Sequence, residues 1–243
     1  MAIYITGDIH GDPSRFNELK YFCKEHKDTE WIICLGDVGL NYYGEDHPRE
    51  LYLKSLANEI PANLFCIHGN HEYRPHWGSG YNVVEIDNDF IKGYAWVNPK
   101  YPNQYFALDG AAYKIKTSER TLTAVICGGA YSVDKYYRLS RGWNWWADEQ
   151  PSDYTKMLVK ELVKEKYPDI MLTHTCPTRF IPKELFLDGV DQSTVDNSTE
   201  KFLDEVYDLF PADKKPMWYF GHFHGDKYTD DYVMLYEDII ELK

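Results

Sequence analysis

Of the 243 residues, 26 are Lys or Arg and 39 are Asp or Glu, a formal net charge of -13, while 44% are hydrophobic and 16% aromatic. That balance describes a soluble globular chain read as one domain over 1–243, excludes disorder and collagen-like sequence, and disfavours long duplex DNA, which binds by neutralising many phosphates. No run of about 18 apolar residues is present to cross a bilayer, so no membrane span is expected. The first residues, MAIYITGDIHG, lack a basic or extended apolar leader, so a cytoplasmic location is expected. The five cysteines (Cys23, Cys34, Cys66, Cys127, Cys176) are scattered and never spaced as CxxC, which suggests neither a disulfide framework nor a thiolate zinc site.

Short apolar runs at 2–6, 31–35, 64–67, 124–127, 170–172 and 217–220 predict buried strands. Asp12 and Pro13 can cap and open a helix with Phe16, Leu19, Phe22 and Cys23 on one face. A second helix is expected after Pro48, with Leu53, Leu56 and Ile60 on a stripe, and a third after Ser152, with Leu158, Val159, Leu162 and Val163 inward. A fourth begins near Asn197 and Glu200, read as a capping pair, and buries Phe202, Val206 and Leu209. The early alternation predicts a βαβα unit with parallel strands. From 83 to 128 the pattern changes to short strands (83–86, 105–108, 113–116, 122–127), which suggests hairpins and a mixed or second sheet. An α/β chain with two sheets and helices outside fits this reading, and the tail at 228–236 alternates as a strand does.

Five strand candidates end in a polar motif: GDIHG at 7–11, GDVG at 36–39, HGNHE at 68–72, LTHT at 172–175 and FGHFHG at 220–225. In open α/β sheets the carboxyl ends of strands converge on one crevice, so residues far apart in sequence can meet there. The ligand inventory is Asp8, His10, Asp37, Asn70, His174, His222 and His224. Carboxylate, amide oxygen and imidazole together suit Mn²⁺ foremost, with Fe, Zn²⁺ or Ni²⁺ as alternatives, better than Ca²⁺, which asks for oxygen alone. Seven ligands exceed one tetrahedral ion and match two divalent ions sharing a bridging carboxylate.

The ordered set GDxHG, GDxG, GNHE, a lone His at a strand end and GHxH resembles the calcineurin-like metallophosphoesterase superfamily, in particular its small bacterial and phage members, from Asp8 to His224. The resemblance implies that Asp8, His10 and His224 bind one ion, that Asn70, His174 and His222 bind the other, and that Asp37 bridges them. It further implies His71 as a catalytic histidine that binds no metal, and a four-layer α-β-β-α sandwich with two mixed sheets. Two cations held together lower the pKa of a shared water for in-line attack on phosphorus, and His71 would protonate the leaving group. A carboxylate partner for His71 is expected, and no residue is identified for it.

Two departures bear on substrate. In the phosphoprotein phosphatase branch GDxVDRG and an Arg before GNHE supply phosphate grips, whereas here Val38, Gly39, Leu40 and Asn41 follow Asp37 and His68 stands in the second place. Without arginine forks for a dianion, a phosphodiester is favoured, either a nucleotide or single-stranded nucleic acid. A phosphomonoesterase or protein Ser/Thr phosphatase is the alternative reaction, and a non-catalytic interaction module the alternative class. The segment 128–152 is dense in cations and aromatics: Lys135, Arg138 or Arg141 could replace the missing grips and Trp143, Trp145 or Trp146 could stack on a base, or the tryptophans fill the core and the cations are solvated. Glu72 is read as ordering its loop, His68 as either buried or near substrate, and His26, His47 and His76 as ordinary surface or helix residues.

Overall fold

The computed structural model describes residues 1–243. In chain order the main elements are β1 (Ala2–Thr6), α1 (Pro13–Glu25), β2 (Thr29–Cys34), α2 (Pro48–Ala57), β3 (Asn63–Cys66), β4 (Asn82–Asp87), β5 (Ile91–Val97), β6 (Gln104–Ala107), β7 (Ala112–Lys116), β8 (Thr121–Cys127), α3 (Lys135–Ser140), α4 (Asp153–Lys166), β9 (Ile170–Thr173), α5 (Ser198–Asp208), β10 (Met217–Phe220), β11 (Lys227–Tyr228), β12 (Tyr232–Met234) and β13 (Ile239–Glu241). No helix is long and apolar enough to cross a membrane.

Thirteen strands form one mixed sheet in the order β11-β12-β10-β9-β8-β7-β5-β6-β3-β2-β1-β13, with β4 paired to β5 off that path. The α/β class stands, but where two separate sheets were expected the hydrogen-bonded path is continuous. The parallel wing β1-β2-β3-β6 is joined to the parallel wing β8-β9-β10-β12 through antiparallel β5 and β7. Strand alternation decides what each wing covers. Ile3, Ile5, Ile33 and Phe65 from the first wing share one core cluster with Leu122, Ile126, Ile170 and Leu172 from the second. The opposite faces go to helices: Tyr4, Ile32 and Leu64 pack with Phe16, Leu19 and Leu53, and Val125, Met171 and Trp218 pack with Val159, Val163, Phe202 and Val206.

Helix starts follow local chemistry. Asp12 accepts from Ser14 N at 2.8 Å ahead of Pro13, and Ser152 accepts from Thr155 N at 3.1 Å. Before Pro48 the cap is His47, whose Nδ1 accepts from Arg49 N at 3.1 Å. The expected Asn197 and Glu200 pair does not form: Asp196 accepts from Ser198 N at 2.9 Å, while Glu200 turns inward to accept from Thr175 Oγ1 at 2.7 Å. β5, β13 and the short α3 were not anticipated, and the 228–236 tail breaks into β11 and β12. All five cysteines are buried thiols, in keeping with a core role.

One buried ion pair fixes the loop that follows Asp37. Glu50 accepts from Lys54 Nζ at 2.8 Å, from the backbone of Tyr43 and Gly44 at 2.8 and 2.9 Å, and from Tyr73 OH at 2.5 Å. A carboxylate and an ammonium with almost no solvent are tolerable only with such full hydrogen bonding. The loops after β2 and β3 are thereby held in one arrangement.

Candidate metal centre

The ends of β1, β2, β3, β9 and β10 meet and gather Asp8, His10, Asp37, Asn70, His174 and His224, with His71 drawn in beside His10 and Asp37 and His222 packed against His174. Four of these backbones are left-handed: His10, Asp37, His222 and His224 have φ values of 52, 46, 69 and 51°. Side-chain-bearing residues rarely accept that conformation, and it concentrates at sites where geometry is functional. Close approach also requires glycine. A Cβ on Gly69 would lie 2.0 Å from Asp37 Oδ1, and one on Gly221 would lie 2.2 Å from Asp8 Oδ1.

On one side, Asp8 Oδ2 lies 3.6 Å from His10 Nε2 and 3.4 Å from His224 Nε2, and those two nitrogens are 2.8 Å apart. Asp8 Oδ2 is buried with no hydrogen-bond partner, while Oδ1 accepts from His222 N at 3.0 Å. On the other side, His174 Nε2 is 2.8 Å from Asn70 Oδ1 and 3.5 Å from Asp37 Oδ2. His222 packs its ring 5.0 Å from that of His174. Asp37 Oδ2 is also 4.0 Å from His10 Nδ1, so this carboxylate faces both clusters.

The surrounding bonds turn lone pairs inward. His174 Nδ1 donates to the Leu35 carbonyl at 2.8 Å, which leaves Nε2 as the atom aimed at the centre. Asn70 Nδ2 donates to Ser132 Oγ at 2.8 Å, which turns Oδ1 toward the same point. His71 N donates to Asp37 Oδ1 at 2.7 Å and leaves Oδ2 free. Glu72 accepts from Gly69 N at 2.9 Å and orders the loop as expected. A donor set of carboxylates, an amide oxygen and imidazoles with an orphaned buried oxygen fits divalent ions of intermediate hardness.

Charge is distributed accordingly. Burial opposes the charged forms, yet the nearby Asp8 and Asp37 carboxylates raise His10 to about 9, and Asp37 with Asp8 raises His174 to about 9. Despite its burial, the neighbouring imidazoles hold Asp37 well below the usual carboxylate range. Burial beside His174 pushes His222 down to about 3, so it is a neutral donor. Positive charge on His10 and His174 thus balances the two buried carboxylates.

His71 lies at the rim, its ring 5.4 Å from that of His10 and its Nε2 3.8 Å from Asp134 Oδ1. Burial lowers its pKa, Arg138 adds to this, and Asp37 and Asp134 oppose it. His68 is buried and held neutral, chiefly by burial and by Arg74. Arg138 is buried, donating to Ser132 Oγ at 3.3 Å and to the Asn144 carbonyl, a position behind Asn70 and not open to a ligand. Lys135 Nζ sits 3.9 Å above the Trp145 ring, and exposed Arg141 lies over Tyr137. Trp143 is exposed, whereas Trp145 and Trp146 are half-buried, Trp145 donating to Glu149 Oε2 at 2.7 Å. Sequence reading did not single out Ser132, Asp134 or Tyr236, which stacks at 4.8 Å on His224. The only signal for the first two was their place in the cation-rich segment, and for Tyr236 there was none beyond alternation.

A family model described as calcineurin-like phosphoesterase matches residues 1–226. Protein TT1561 of Thermus thermophilus has a similar crystal structure, with a TM-score of 0.50 at 12% identity over 96% of this chain and 87% of that one. A hypothetical protein from the same organism gives 0.47 at 10% identity over 97% and 75%, and an archaeal phosphodiesterase gives 0.33 at 11% identity over 97% and 82%. No curated protein matches the chain.

Proposed function

Because the chain belongs to the calcineurin-like phosphoesterase family, and is therefore a metal-dependent hydrolase of phosphoric esters, we propose that it holds two divalent ions, Mn²⁺ foremost, and cleaves phosphodiesters. The observation that carries this reading is the paired set of inward-turned acceptors, with Asp37 facing both: His10 and His224 with Asp8, and His174 with Asn70. Asp8, His10 and His224 would hold one ion, Asn70, His174 and His222 the other, and Asp37 both. Two such ions activate water and neutralise phosphoryl charge. The protein's own residues do the rest. Leu35 O, Ser132 and the His71 backbone aim the proposed ligands before substrate arrives.

His71, on the open side of the cluster, is placed to give a proton to the leaving oxygen through Nε2. Asp134, whose Oδ1 lies 3.8 Å from that nitrogen, favours the charged form of the ring by its charge. The same carboxylate supports a diester over a monoester, since a dianion would meet it at the rim while a diester monoanion meets less repulsion. Arg138 offers no fork there, being committed to Ser132 and Asn144.

The test is hydrolysis of a chromogenic phosphodiester and its matching monoester by Mn²⁺-loaded protein, with His71→Ala alongside. Diester turnover that falls about 10²- to 10⁴-fold in the variant is expected. Activity on the monoester alone would move the reading to a phosphatase.

A further inference from the structure

We propose that the wall made by residues 133–147 is a nucleobase subsite that takes the unpaired bases of a single-stranded oligonucleotide running past the metal centre. This rests on the phosphodiesterase reading above and adds to it the polymeric substrate. α3 begins at the centre: its N-cap, Asp134, faces His71, and Ser132 two residues earlier bonds Asn70. From there the segment runs outward and is pinned to the loop after Asp37 by Asn144 Nδ2, which donates to the Tyr42 carbonyl at 2.8 Å.

Along it stand large aromatics in water, Tyr136 at 73%, Tyr137 at 52% and Trp143 at 53% exposure. Contiguous exposed aromatic surface marks a binding site more often than a solvated face. Its accessible charge runs against the rest of the molecule. The chain carries -13, yet 133–146 offers Lys135 and Arg141 to solvent against Asp134 alone, Arg138 being buried. The Arg141 guanidinium lies 5.2 Å over the Tyr137 ring, and Trp143 meets Tyr137 edge to face at 5.7 Å. Planar rings for bases beside cations for phosphates are the two components of single-strand recognition.

Length and charge narrow the ligand further. α3 with its six residues spans about 9 Å, room for two or three bases at a stacking rise of roughly 3.4 Å, more than a mononucleotide would use. Paired bases have no free faces to offer, and the acidic remainder of the surface repels a long duplex. A single strand placing one phosphate at the metals and the next bases on Tyr137 and Trp143 satisfies both features.

The probes are fluorescein-labelled oligothymidylate and oligouridylate hexamers and an abasic hexamer of equal charge, with binding read by anisotropy on Mn²⁺-loaded His71→Ala protein, which keeps every proposed metal ligand. The wild-type holoenzyme supplies the ratio of kcat/KM for the hexamer to that for a small chromogenic diester. Base-containing hexamers should bind about tenfold or more tightly than the abasic one, with the DNA and RNA arms showing which strand is preferred. Tyr137→Ala and Trp143→Ala should each weaken hexamer binding about 5- to 100-fold and lower the kcat/KM ratio in proportion. Trp143→Phe should recover most of the loss, and Arg141→Ala should flatten the salt dependence. Equal affinity for the abasic strand, a mononucleotide binding as tightly as the hexamer, or alanine variants within twofold of the parent would each overturn the subsite. If the small diester is inert while base-dependent binding persists, the phosphodiesterase reading fails separately. If the small diester is turned over without base dependence, only the subsite fails.

Discussion

Single atoms decide whether this centre can hold cations. The Asn70 side chain is useful only with its oxygen inward, and the bond from Nδ2 to Ser132 Oγ selects that orientation. Ser132→Ala removes the acceptor, so the affinity for Mn²⁺ should fall about 10- to 100-fold, as measured by calorimetry with the fold intact by circular dichroism. Unchanged affinity would mean the amide is oriented without Ser132. Protons and metals also compete here. His10 and His174, each raised to about 9, are protonated in the metal-free protein at pH 7 and must be neutral to act as ligands. Metal binding at pH 7 should therefore release protons, on the order of two per chain, and affinity should rise as pH increases toward 9. Calorimetry in buffers of different ionisation enthalpy measures the release directly, and binding without it would contradict the charge state assigned to the two imidazoles.

At the scale of elements, strand ends and loops hold the proposed ligands, and the loop after Asp37 depends on Glu50. Glu50→Ala would strip that loop of its backbone acceptor and leave the Lys54 ammonium buried without a partner. A loss of about 3–5 kcal/mol in urea unfolding is expected, whereas a loss under about 1 kcal/mol would show that water reaches Lys54. The elements legible in the sequence were those whose signal is local. Pro13, Pro48 and Ser152 mark helix starts whatever packs on them, and the runs at 2–6 and 170–172 are apolar on both faces because helices cover one side and the other wing covers the second. β5 was missed because Lys92 and Gly93 interrupt its apolar run, and its strand character comes from pairing with β4, β6 and β7. Asn197 looked like a cap by residue type, but Asp196, one position earlier, had the geometry.

For the whole molecule, the convergence of the expected ligand residues was readable because Asp8, Asp37, Asn70, His174 and His222 each follow a strand, and parallel strands bring such ends to one edge. What could not be read was anything set by contact between distant loops. Asp134 faces His71 across 63 positions of chain, and Arg138 looked like a surface cation until α3 buried it behind Ser132. The closure of two expected sheets into one path likewise depends on β5 reaching β7. Because the centre joins both wings, cations bound there should stabilise the entire fold. At free Mn²⁺ one hundred times the dissociation constant the gain is about 2.7 kcal/mol per site, so chelation should lower the thermal midpoint measurably by scanning calorimetry. A midpoint indifferent to chelator would mean that the ligands are held equally well without metal.

The most direct test is a titration of metal-stripped protein with Mn²⁺ while hydrolysis of a chromogenic phosphodiester is followed, in parallel with Asp37→Asn. Two ions sharing Asp37 predict a silent stripped protein, activity that rises to a plateau at about two equivalents, and loss of that rise in the variant. Turnover independent of added metal, or a variant as active as the parent, would contradict a two-ion centre bridged by Asp37.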